Sequence, residues 1–147
     1  MNAIKTRTVL GWYQLGAATI GGLVTVWAHW RAGTLDVESL ALSSAPFAVV
    51  GTAGRWLLVD HRKAVLLTLI GQVLQIPIIF SPRLIWKFVA GVNFSVAFST
   101  AGSSVYAGIE TTWLVAWNRP IDQSSIGLNL VPIVVILLVL RMRRLRT

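Results

Sequence analysis

Apolar and polar positions along this chain follow two rhythms. Nearly half of it runs in long blocks with few charges, at about 9–30, 45–60, 64–80 and 126–140. Between the third and fourth blocks the rhythm becomes strict alternation. Leu84, Trp86, Phe88, Ala90, Val92, Phe94, Val96 and Phe98 take every second place in one run, and Val105, Ala107, Ile109, Thr111, Trp113, Val115 and Trp117 do so in the next. An apolar run of about 20 residues suffices to cross a bilayer as a helix, whereas period two marks a strand with one face covered. The turn-like Thr100-Ala101-Gly102-Ser103 separates the alternating runs. They therefore read as an antiparallel β-hairpin, 84–99 and 104–117.

Local signals place the ends of the blocks. Val9–Trp30 holds 22 residues without a charge and would measure about 33 Å as a helix. Lys5 and Arg7 precede it as in a signal peptide, but the run is too long and Trp30-Arg31-Ala32 is a poor cleavage site, so it reads as a retained membrane helix. Ser43 or Ser44 before Pro46 predicts the start of a second helix, with a hydroxyl cap and proline in the first turn. Asp60-His61-Arg62-Lys63 is a charged turn, and Pro77 with Ser81-Pro82 ends a third helix. The expected fold is mainly α: four transmembrane helices in one integral membrane domain, 1–147, with the hairpin 84–117 on the extracytoplasmic side.

Composition strengthens this expectation. Apolar residues make up 55% of the chain, charged residues only 12%, and mean hydropathy is +0.71, where soluble domains carry about 25% charged residues. A net charge of +8 would suggest nucleic acid in a soluble protein. Here the positive-inside rule accounts for it. With both termini in the cytoplasm of an inner membrane, the inner segments hold nine bases (Lys5, Arg7, Arg55, Arg62, Lys63, Arg141, Arg143, Arg144, Arg146) against Asp60. The outer segments balance Arg31, Arg83, Lys87 and Arg119 against Asp36, Glu38, Glu110 and Asp122. A fifth helix through 84–107 would move the C-terminal arginines outside and put Asn93, Ser95, Ser99 and Thr100 in lipid. Two short spans restore the parity, but both are thin and polar-studded.

Candidate chemistry is sparse. Cysteine is absent, which removes disulfides and thiolate sites. No phosphate-binding glycine loop, histidine pair or catalytic set is present, so no enzyme activity, metal or nucleic-acid partner is expected. His29 is the candidate for holding a cofactor. None is predicted, with room left for contact with a pigment or lipid. Thr68, Gln72 and Gln75 share one helix face and predict an interhelical polar seam. Gly21 and Gly22, with Ala17 and Ala18, form small-residue faces for close helix approach.

The hairpin's apolar face needs a covering surface, and a lone hairpin exposes its edges. Trp86, Phe88, Phe94, Phe98, Trp113 and Trp117, with Gly21 and Gly22, are therefore the expected partner contacts. The function expected is a non-catalytic accessory subunit of a larger membrane complex, energy-transducing ones (photosynthetic or respiratory) being the hosts in view. Its partners would be other membrane subunits and the lipid bilayer. The alternative is a small oligomeric transporter or channel with a polar path at Gln72, Gln75 and Asn129.

Overall fold

A computed structural model describes residues 3–144. In chain order the elements are α1 (Ala3–Ala32), α2 (Val37–Leu58), α3 (Ala64–Val73), β1 (Pro77–Phe80), β2 (Leu84–Ser99), β3 (Gly102–Trp117), β4 (Ser125–Asn129) and α4 (Val131–Arg144). The expected architecture of four membrane helices is not what forms. Among the described residues one helix, Ile4–Ala32, is long and apolar enough to cross a membrane, and α3 and α4 are short. The rest is built around a four-stranded antiparallel sheet. Arg146, in the C-terminal basic cluster, lies outside the described residues.

Each departure has a local cause. The second helix begins well before 45, because Asp36 caps it by accepting from the Ser39 N–H at 2.8 Å. Pro46 is buried inside that helix rather than at its start. The third helix stops at Val73, and Pro77–Phe80 becomes a strand. Proline has no N–H to continue a helix and is tolerated at a strand's first residue. The isoleucines and phenylalanine that follow favour a strand. In the fourth block, Ser125–Asn129 is also a strand, and the helix waits for Val131-Pro132. A Cβ at Gly127 would sit 2.9 Å from Ala97 Cβ and from Val96 O, so the missing side chain is what lets β4 lie against β2.

The hairpin forms in continuous register from Leu84↔Trp117 to Ser99↔Gly102, but it does not stand alone. β1 pairs with β2 along Ile85–Lys87, and β4 pairs with β2 along Ser95–Ser99. β1 and β4 also pair with each other. These three strands close on one another, and β3 is left as the open edge.

Nor does the hairpin lie beyond the end of the first helix. Ala17 and Ala18, in the middle of α1, pack with Phe47, Val50, Phe88 and Ala90, so β2 crosses α1 at mid-length. A second core cluster joins the other helix ends through Leu10, Leu57, Ala64, Val135, Val139 and Met142. α2 runs back along α1, with Gly11 against Leu58 and Gly21 against Phe47.

Candidate functional site

Between its β1 and β4 partners, one side of β2 has no strand beside it. Three side chains from distant parts of the chain fill the gap: α1, the link between α3 and β1, and β4. Gln75 Oε1 accepts from the Ala90 N–H at 2.8 Å. The Tyr13 hydroxyl accepts from the Val92 N–H at 3.1 Å and donates to the Ala90 carbonyl at 3.4 Å. Asn129 Oδ1 accepts from the Phe94 N–H at 3.3 Å. Buried backbone groups left without partners are costly, so these amides and the hydroxyl act as a missing length of strand. Gly91 lies in this gap at φ +100, and a Cβ there would come within 2.8 Å of the Tyr13 oxygen.

The seam expected at Thr68, Gln72 and Gln75 is buried, and Thr68 approaches Gln14 at 3.5 Å. Gln14, Tyr13 and Asn93 were not singled out from the sequence. Gln14 and Tyr13 sit in an apolar helix, and their roles depend on elements far along the chain. Gln75 and Asn129, proposed as lining a polar path, spend their side-chain oxygens on β2.

Cross-strand partners share a face, so the register sorts the sheet into two surfaces. One is apolar: the even-numbered residues of β2 and β4 with the odd-numbered residues of β3. The helices cover only its middle. Phe88 is fully buried there, and Trp86 and Trp113 are half-buried, their rings edge-to-face at 5.1 Å. Beyond the helices the same face stays open, with Val92, Phe94, Phe98, Val105, Ile109 and Ile126 exposed; Ile109 reaches 81%. Trp117 is exposed as well. Trp86, Trp113 and Trp117 together line a pocket of about 620 Å³ against Ser39, Leu42 and Ser43 of α2. Of the glycines, Gly21 is spent on α2, since a Cβ would stand 2.2 Å from the Phe47 ring, whereas a Cβ at Gly22 meets nothing.

The other face is polar and lies inside the curl. Glu110 forms an ion pair with Lys87. It also accepts from Thr112 Oγ1 and from Asn93 Nδ2, each at 2.8 Å. This cluster lines a second cavity of about 340 Å³, with β1 and β4 as its far wall.

His29 Nε2 lies 2.9 Å from Ser43 Oγ, and Nδ1 lies 3.1 Å from Thr34 Oγ1. The Ser43 hydroxyl donates to the Ser39 carbonyl at 2.6 Å, and Nδ1 also lies 3.1 Å from the Thr34 carbonyl oxygen. Comparison of the chain with protein-family models, curated proteins and solved structures returns no match.

Proposed function

We propose that this chain is a non-catalytic accessory subunit seated in a membrane, held there by α1 and docking a neighbouring subunit through the β2–β3 hairpin. The observation that carries this reading is the open β3 edge bordered by an uncovered apolar face. The even-numbered N–H groups of β2 point away from β3, at Gln75, Tyr13 and Asn129. The odd-numbered residues of β3 must then turn their N–H and C=O groups to the free edge. Those are the same residues whose side chains extend the apolar face.

The position of the sheet supports the reading further. β2 crosses α1 at mid-length, so a bilayer around α1 surrounds the sheet too. An open strand edge is untenable in hydrocarbon, where each unpaired backbone group costs several kcal/mol. A strand of another subunit, added along Ser103–Trp117, would satisfy the row and cover Val105 and Ile109 at once.

The test is purification of the tagged full chain from membranes in mild detergent. Resistance to alkaline extraction and a stoichiometric set of other membrane subunits are the expected results. Ile109→Pro removes one N–H at the open edge and none from the β2–β3 ladder, so it should strip the partners and leave the fold intact by circular dichroism. A lone colourless protein that moves solute across vesicles would overturn the reading.

A further inference from the structure

Tertiary packing gathers cations from four separate elements at one end of the helices. Leu10, Leu57, Ala64 and Met142 pack together and so join the ends of α1, α2, α3 and α4. A basic residue lies close in sequence to each of them. Lys5 and Arg7 come just ahead of Leu10, and Arg55 is in the last turn of α2. Arg62 and Lys63 form the turn into α3, and Arg141 adjoins Met142. Asp60 stands among these cations and is paired with Arg7. The other ion pair among the described residues, Lys87 with Glu110, belongs to the sheet. Lys5, Arg55, Arg62, Lys63 and Arg141 are all exposed, with no carboxylate against them.

An apolar belt begins directly beside these charges. Ile4, Val9 and Trp12 stand open around Lys5 on α1. Val59 lies one turn from Arg55, Leu66 one turn from Lys63, and Leu140 next to Arg141, and all three are exposed. An acidic protein would need the cations, but not apolar side chains facing outward on four helices. A bilayer uses both: hydrocarbon around the belt, and headgroups that long Lys and Arg side chains reach by extending past it. The far end of α1 is different. There Arg31 lies over the Trp27 ring, close to Asp36 and Glu38 at the start of α2.

We infer that the cationic end binds the phosphodiester headgroups of anionic phospholipids and selects them over zwitterionic ones. A zwitterionic headgroup brings an ammonium of its own, which the unpaired cations repel. An anionic headgroup brings the phosphate alone. This lipid preference rests on the membrane seating proposed above and adds the class of lipid to it.

The experiment is electron spin resonance on the full chain reconstituted in phosphatidylcholine vesicles. The probe is spin-labelled phosphatidylglycerol or spin-labelled phosphatidylcholine, and lipid held against the protein gives a motionally restricted signal. Phosphatidylglycerol should be held roughly fivefold more strongly at low salt. The preference should collapse toward unity near 1 M salt, where the screening length is about 3 Å. The combined variant Arg62→Gln, Lys63→Gln, Arg141→Gln alters exposed positions alone and should lose most of the preference, with its fold checked by circular dichroism. Lys5→Gln with Arg55→Gln repeats the test on other elements, and Arg31→Gln, at the far end, should retain the preference. Equal restriction of the two lipids, a preference that survives high salt, or one unchanged in both cationic-end variants would overturn the inference and leave the membrane seating standing. Loss of an acidic protein from the purified triple variant, with its lipid preference intact, would overturn it in favour of a protein partner. No restricted lipid of either kind would overturn the seating as well.

Discussion

At the residue scale, polar side chains stand in for backbone. Gln75 reaches from the end of α3 to the Ala90 N–H, and its own Nε2 donates to the Gly71 carbonyl at 3.0 Å. Gln75→Leu keeps the bulk but orphans a buried N–H. We expect it to destabilise the fold by about 1–3 kcal/mol, read by denaturant unfolding in detergent. The glutamine's place on a polar helix face was legible in the sequence. Its partner was not, because Ala90 lies on a strand whose side neighbour stops short of it. Asp36 gives a pH prediction. The Ser39 N–H holds its carboxyl below the usual carboxylate value, so the charged form favours the helix. That contribution is complete above the ordinary aspartate range and is lost as pH falls through the depressed value. The protection of the Ser39 amide against exchange, relative to its intrinsic rate at each pH, should fall over that acid interval, and Asp36→Asn, whose cap carries no charge, should flatten the profile.

At the element scale, the hairpin was readable because period two persists over two long runs, and its register keeps the alternation intact across Gly91 and Glu110. The short strands were not readable. Pro77–Phe80 and Ser125–Asn129 are apolar runs too brief for periodicity to separate strand from helix, and each continues directly into an apolar block. Their state is set by the pairing of Pro77–Phe80 with Ser125–Leu128, across a long sequence separation. The small-residue stripe of α1 divides into two roles. Gly21→Val must collide with Phe47 and should destabilise the fold by several kcal/mol, whereas Gly22→Val meets open space and should leave the unfolding midpoint unchanged. Similar midpoints for the two variants would show that α2 does not press on α1 at Gly21.

At the scale of the whole molecule, the sheet separates two environments: apolar residues on its outer face, an ion pair and hydroxyls inside its curl. The chain leaves exposed at its outer surface what a soluble protein of this size would bury, including Trp12, Trp27 and Trp30 on α1. Hydropathy alone announces such a surface, and the alternation announces the hairpin, because both are local properties of neighbouring residues. The number of helices long and apolar enough to cross a membrane, the closure of β1, β4 and β2, and the filling of the β2 gap were beyond the sequence. Each depends on which distant segment a backbone N–H meets. A five-residue apolar run becomes helix or strand according to the hydrogen-bond partners that tertiary structure brings to it. Sequence therefore determined the chain's apolar character and its one long hairpin, while tertiary pairing decided where that hairpin lies and which of its edges stays open.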